Sequence, residues 1–181
     1  MLASGAHTSF TYYKTSLMIA DYDIGLAVPG EAAAIARLSR DIVEYGMTWG
    51  WTPRRVLARH FDRSTNVVVA RSSGIVIGFA LMEYSDDYAH LLLLGVAPNC
   101  QRRGIASALL AWLEATLRVA GIVRILAEVR ETNEGARAFY QSRGFEEYAL
   151  TPGYYQKIEN AVHLSKVLNV GGASFGQGNA Q

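Results

Sequence analysis

The 181-residue sequence predicts one α/β domain, a central mixed and largely antiparallel sheet with helices on both faces. Three observations carry this reading. Strand-like and helix-like runs alternate from about residue 24 to residue 168. Short turn signals around Ser73-Gly74 and Pro152-Gly153 each separate two strand-like runs, as antiparallel hairpins require. The most apolar strand leads into a long amphipathic helix and then another strand, the pattern of a right-handed parallel crossover. With 50% hydrophobic and 18% charged residues, the chain has enough apolar surface for one core and too little length for a second full domain.

Taken in order, residues 1–23 mix Ser, Thr, Tyr and Gly without a clear period and form an N-terminal extension to the domain. A strand is predicted over 24–28 and an amphipathic helix over 29–45, opened by Pro29. Thr52-Pro53, an N-cap and first-turn pair, starts a second helix that runs to about 61. Strands at 66–71 and 75–84 flank Ser72-Ser73-Gly74, and the strand at 88–96 is the most apolar of all. Over 104–120, Ile105, Leu109, Trp112, Leu113, Thr116, Leu117 and Ala120 recur at helical spacing, and Gly121 provides the C-cap. In the strand at 123–130, Val123, Ile125, Ala127 and Val129 alternate with Arg124, Leu126, Glu128 and Arg130, leaving one face strongly apolar. A helix at 134–143 stops at Gly144-Phe145, and strands at 145–150 and 161–168 close the domain around Pro152-Gly153. The Gly-rich, polar stretch 169–181 can bury too little to offset ordering entropy and is expected to be a mobile tail.

The bulk numbers narrow the function. Lys and Arg total 17 against 16 Asp and Glu, so a broadly basic nucleic-acid surface is not expected. Cys100 is the only cysteine, which excludes an intramolecular disulfide framework and reads as a structural thiol. No apolar run approaches the length of a membrane span and the N-terminus lacks a signal-peptide pattern, so the expectation is a cytoplasmic protein without a membrane partner. His7, His60, His90 and His163 are scattered without ligand spacing, so no metal is expected.

Chemistry concentrates between the apolar strand and the long helix. There Gln101-Arg102-Arg103-Gly104-Ile105-Ala106 leads into a helix N-terminus, where main-chain N–H groups lack intrahelical acceptors and the dipole favours an anion. Gly104 permits close backbone approach, Ala106 keeps bulk off the loop, and Arg102 and Arg103 add charge. No Gly-Lys-Ser/Thr follows, so this is not a P-loop, and it is not Gly-x-Gly-x-x-Gly.

The pattern Gln-x-x-Gly-x-Ala after a strand ending in Val-x-Pro resembles the acetyl-CoA-binding motif of the GNAT superfamily. The likeness extends over roughly residues 24–168, through Glu128-Val129-Arg130-Glu131-Thr132-Asn133 and Ala138-Phe139-Tyr140-Gln141-Ser142-Arg143-Gly144-Phe145. Within the superfamily it is greatest to ribosomal-protein-alanine N-acetyltransferases. The resemblance implies acetyl-CoA as co-substrate and direct attack of a primary amine on the thioester. It implies Glu128 as general base, usually through water, and Tyr140 as general acid. It further implies cofactor contacts from Leu94, Gly95 and Val96, from the loop 101–106, and from Asn133.

Each residue also has a plainer reading. Glu128 can pair with Arg124 or Arg130 on its own strand face, Tyr140 can pack beside Phe139, and Asn133 can cap the helix that follows it. Gly95 is a candidate bulge. Tyr154 and Tyr155 are placed to close over the acceptor or simply to pack at a strand edge. Trp49 and Trp51 lie where the family often reads its acceptor, or are buried against the sheet. The acceptor is expected to be a protein N-terminus, with a small-molecule amine as the alternative, and a non-catalytic acyl-CoA-binding module as a reading of another class. A monomer or homodimer is expected. The sequence departs from the likeness at Cys100, where an aromatic is frequent, at Glu159-Asn160-Ala161, and in its N-terminal extension.

Overall fold

The computed structural model describes residues 22–168, so most of the predicted N-terminal extension, the tail at 169–181 and His7 lie outside the described residues. Seven strands form one sheet: β1 (Asp23–Leu26), β2 (Thr65–Ser72), β3 (Ile75–Tyr84), β4 (Ala89–Val96), β5 (Arg124–Arg130), β6 (Glu146–Tyr155) and β7 (Glu159–Val167). Their order across the sheet is β1-β2-β3-β4-β5-β7-β6. Every adjacent pair is antiparallel except β4 and β5, which run parallel as the crossover predicts. Four helices accompany them, α1 (Ala32–Leu38), α2 (Pro53–His60), α3 (Ile105–Ala120) and α4 (Glu134–Ser142).

The period-2 alternation of the central strands sorts side chains to two apolar layers. Ala80 and Met82 of β3 and Ile125, Ala127 and Val129 of β5 meet Leu109, Leu113 and Leu117 of α3, together with Tyr140 at the end of α4. Phe79 and Leu81 point the other way, onto Ile35 and Ala36 of α1 and Val56 of α2. Burying each such large side chain is worth about 1.5–3 kcal/mol, so both helix layers are held chiefly by these contacts. Because the odd-numbered residues of β5 face α3 and α4, Leu126, Glu128 and Arg130 face the α1 and α2 side.

Local signals place several boundaries. Ser72 pairs with Ile75, and the intervening Ser73 and Gly74 have φ of 50° and 76°, the twist-matched two-residue hairpin. Thr52 caps α2 by accepting from the Arg55 amide at 3.3 Å. Gly121, at φ 75°, ends α3, and Ile122 N reaches back to Leu117 O at 3.0 Å.

Three expectations need correction. The predicted helix 29–45 is composite, a short 3-10 turn Pro29–Glu31, then α1, then a widened turn Ser39–Val43. Its end is drawn back by the Glu44 carboxylate, which accepts from Gly50 N at 2.6 Å and Trp51 N at 3.1 Å. The chain does not reverse at Pro152-Gly153. β6 continues through them to Tyr155, with a register break between Thr151 and Tyr155, and the turn falls at Gln156 and Lys157 with φ of 53° and 62°. Pro152 is tolerated because β6 is an edge strand, and Gly153 N donates to Asn160 Oδ1 at 2.8 Å. The third correction concerns Gly95, which is not the bulge: β4 slips at Leu92, between the Leu81–Leu93 and Met82–Leu91 pairs. Gly95 stays paired with Phe79, and a Cβ there would lie 2.8 Å from the Phe79 ring and from Ile42 Cδ1, so close packing excludes a side chain.

Candidate active site

β4 and β5 pair only from Ala89–Ile125 to Leu91–Ala127. Beyond the Leu92 slip the two parallel strands part, opening a fork between Leu92–Val96 of one and Glu128–Arg130 of the other. The end of β5 is anchored elsewhere, since Arg130 Nη2 donates to Val43 O at 2.8 Å and Arg130 Nη1 lies 3.3 Å from Glu159 Oε2. Leu94, Gly95 and Val96 therefore line the β4 side of the fork while remaining paired with β3.

The loop after β4 carries the chain from the fork to α3. Gln101 Nε2 donates to Val96 O at 3.1 Å, tying the loop to the strand end. Arg102 at φ 60° and Gly104 at φ 82° turn the main chain, and the first hydrogen bond within α3 is Ala108 N to Gly104 O at 3.0 Å. The amides of Gly104, Ile105, Ala106 and Ser107 thus precede the helical ladder and fit a diphosphate. A Cβ on Gly104 would meet nothing within 4 Å, so its glycine answers to the left-handed backbone rather than to a crowded neighbour. The loop's side chains divide: Gln101, Arg102 and Arg103 are exposed, whereas Ile105 is buried in the core and offers a ligand only its amide.

Glu128 enters the fork from the α1 and α2 face, where two imidazoles hold it. Its Oε2 lies 2.5 Å from His90 Nε2 on β4, and its Oε1 lies 3.4 Å from His163 Nδ1 on β7. Neither Arg124 nor Arg130 is its partner. The Glu128 hydrogen bond outweighs burial and holds the His90 imidazole above its ordinary pKa, so Nε2 is a charge-assisted donor to the carboxylate. Both histidines are missing from the sequence-level list of site residues. Their one signal is a polar residue within an apolar strand, and only the register, with Glu128 opposite His163 and Leu126 opposite His90, brings them together. Among the described residues no group of His, Cys, Asp and Glu is arranged to hold a metal ion.

Tyr140 comes from the opposite layer, on α4, in edge contact with Phe139 at 5.4 Å and Phe145 at 5.2 Å between ring centres. Burial, then the negative charge of Glu128, push its phenol well above the ordinary range, so it stays protonated at neutral pH. The same two causes raise Tyr154 and Tyr155. All three phenols feel the charge of Glu128, and the Tyr154 and Tyr155 rings lie 5.1 Å apart in a T-shaped pair. Asn133 caps α4, its Oδ1 accepting from Ala136 N at 3.0 Å.

Trp49 and Trp51 pack on the α1 and α2 layer, Trp51 beneath the Arg55 guanidinium at 4.1 Å and Trp49 near Arg40 at 5.4 Å. Both are half-buried against that layer. Between them and the turn after β6 runs a paired bond: Thr48 N donates to Gln156 Oε1 at 2.9 Å and Gln156 Nε2 donates to Thr48 O at 2.8 Å. It links the α1–α2 segment to the β6–β7 turn.

Residues 34–145 match the acetyltransferase (GNAT) family. A ribosomal-protein-bS18-alanine N-acetyltransferase of Salmonella typhimurium is 31% identical over 118 residues, 64% of this chain and 79% of that protein. An uncharacterised N-acetyltransferase of Methanocaldococcus jannaschii is 35% identical over 99 residues, 54% of this chain, and the match spans just under two thirds, 64%, of that relative's length. Among solved structures, Ard1 from Thermoplasma volcanium aligns with a TM-score of 0.72 at 27% identity, covering 81% of this chain and 97% of that one. An N-acetyltransferase from Thermoplasma acidophilum in complex with coenzyme A shares the fold, with a TM-score of 0.69 at 18% identity over 81% of this chain and 99% of that one. The forked parallel pair, the amide-lined loop at the start of α3 and the family match across both lead to one conclusion: the chain belongs to the GNAT family of acetyl-CoA-dependent N-acetyltransferases.

Proposed function

We propose that this chain acetylates the α-amino group at the N-terminus of a protein or peptide, with Glu128 as general base and Tyr140 as general acid. The observation that carries the reading is that Glu128 projects from the α1 and α2 face of β5 while Tyr140 packs from the α3 and α4 layer, near enough for the charge of Glu128 to act on its phenol. Acetyl-CoA supplies the acyl thioester. Its diphosphate fits the amides of Gly104 to Ser107, and its pantetheine arm fits the fork edge at Leu94, Gly95 and Val96. The chain's own groups do the rest. Glu128 takes the proton that the attacking amine must lose, and Tyr140, kept neutral by burial, gives one to the departing sulfur.

An α-amino acceptor suits a carboxylate base. With a pKa of about 8, roughly a tenth of such amines are neutral at pH 7, against well under a thousandth for a lysine near 10.4. The name of the Salmonella relative points to the same acceptor class. So does the Thr48–Gln156 link, which ties the α1–α2 segment to the β6–β7 turn and favours a substrate that enters by its end. Tyr154 and Tyr155 supply an aromatic wall for that first residue.

The test is incubation with acetyl-CoA and a mixed library of N-terminal peptides and free amines, followed by mass identification. Peptides acetylated at the α-amine are expected. Acetylation confined to small amines would move the protein to the other acceptor class, and binding of acetyl-CoA without any acetylated product would mark a non-catalytic module.

A further inference from the structure

We propose that His163 relays the proton collected by Glu128 out of the fork to solvent, along a path Glu128 Oε1, His163 Nδ1, His163 Nε2, Thr151. The proposal rests on the reading of Glu128 as the general base. Each turnover converts an ammonium and an acyl thioester into an amide, a thiol and one free proton. The C–N bond forms and the C–S bond breaks; of the two protons the ammonium gives up, one replaces the proton that Tyr140 passes to sulfur, and the other must leave the protein before Glu128 can act again.

The geometry offers a side-chain path from one oxygen of Glu128. Its Oε2 is taken by His90 Nε2 at 2.5 Å, and a ring nitrogen that donates to a carboxylate already carries a proton and cannot accept another. Oε1 is the other oxygen, and His163 Nδ1 lies 3.4 Å from it. On its far side His163 Nε2 lies 2.8 Å from Thr151 Oγ1, and Thr151 is exposed on the edge strand β6. His163 and Thr151 thus lead from Oε1 to the edge strand, on a carboxylate whose own side chain is only 15% exposed.

The imidazole is also held in line. It sits opposite Glu128 in the β5–β7 register, its side chain is 17% exposed, and the Tyr148 and Tyr154 rings flank it at 5.9 and 5.6 Å. The titratable groups facing it are Glu128 from β5 and those two tyrosines from β6, with His90 of β4 beyond the carboxylate. A relay through it requires a resting tautomer with Nε2–H donating to Thr151 and Nδ1 open towards Glu128. Proton uptake at Nδ1 then releases the Nε2 proton at the surface, and rotation or solvent exchange restores the start. His163 acts through Glu128 and touches no reacting atom, so it is a positioning and relay residue.

The test combines two His163 variants with the Glu128 variant. His163→Phe keeps ring shape, and His163→Asn, which is smaller and polar, guards against misfolding. Both should bind acetyl-CoA like the parent by calorimetry. In dilute buffer both should lose about tenfold in kcat, less than the roughly 10²–10⁴-fold of a general base because the relay acts through Glu128, with little change in either KM. Added imidazole should restore most of the loss, the alkaline limb of the kcat–pH profile should change shape, and 15N NMR of the resting enzyme should find His163 as the Nε2–H tautomer. An unaltered kcat at low buffer, a loss that imidazole does not restore, or an Nδ1–H resting tautomer overturns the relay. If Glu128→Gln is inactive while both His163 variants turn over normally, the relay alone is wrong. If Glu128→Gln turns over normally, the base assignment fails and the relay with it.

Discussion

The loop entering α3 and the face that carries Glu128 border the same fork, yet they are built from the chain in opposite ways. The loop is contiguous: a strand end, a glutamine tied back to Val96 O, two left-handed positions at Arg102 and Gly104, and a helix terminus, all between residues 96 and 107. The Glu128 face is gathered. His90, Glu128 and His163 come from three strands, Thr151 from a fourth, and the Thr48–Gln156 pair spans 108 residues. The cofactor side therefore depends on local backbone conformation and the acceptor side on strand register. Damage to the two should separate cleanly between binding and turnover.

The sharpest break comes at Glu128. Glu128→Gln keeps the shape and a hydrogen-bond acceptor for His90 but cannot take a proton, so kcat should fall by about 10²–10⁴-fold, the usual scale of general-base catalysis. Calorimetric affinity for acetyl-CoA should stay within about twofold of the parent, because the α3 amides are untouched. A variant that turns over at the parental rate would remove Glu128 from the mechanism. A comparable loss of cofactor affinity would mean that the two sides are not independent.

The same contrast explains what the sequence discloses. The Ser73-Gly74 hairpin, the Thr52, Asn133 and Gly121 caps and the loop before α3 follow from residues within a few positions of one another, and they fall where expected. The misreadings are long-range. Pro152-Gly153 carries a turn signal, but Asn160 of β7 accepts from Gly153 N where the edge strand breaks register at φ 63°, and the reversal moves to Gln156 and Lys157. Gly95 reads as a bulge from its own strand, although Phe79 and Ile42, remote in sequence, dictate its missing side chain. His90 and His163 look scattered until the register of β4, β5 and β7 is known. Glu128 and Tyr140 were visible only because a family motif already encodes such long-range information.

A smaller, converse effect is expected on the cofactor side. Gly104→Val puts a β-branched residue at φ 82°, a strain of about 1–3 kcal/mol, and sets its side chain over the amides at the head of α3. Acetyl-CoA affinity should drop by about tenfold or more in calorimetry. At saturating cofactor, kcat should recover towards the parental value, since the Glu128 face is unaltered. Unchanged affinity would show that the diphosphate is held elsewhere.

The mildest expected change tests how much the gathered face contributes to stability, and pH gives its sign. His90 has its pKa raised in the folded protein by the Glu128 hydrogen bond, against the opposing effect of burial. Its contribution is therefore fully present below the unfolded-state value near 6.5 and is lost as pH rises through the folded value. His90→Gln should cost on the order of 1 kcal/mol at pH 5.5, the scale of one charge-assisted hydrogen bond reduced by partial solvent access. The gap between parent and variant should shrink steadily towards pH 8.5 in urea denaturation. A gap that is constant with pH would mean that the imidazole is held by packing alone, whereas one that widens with pH would mean that it folds in as a neutral ring and that Glu128 Oε2 lacks its cationic partner.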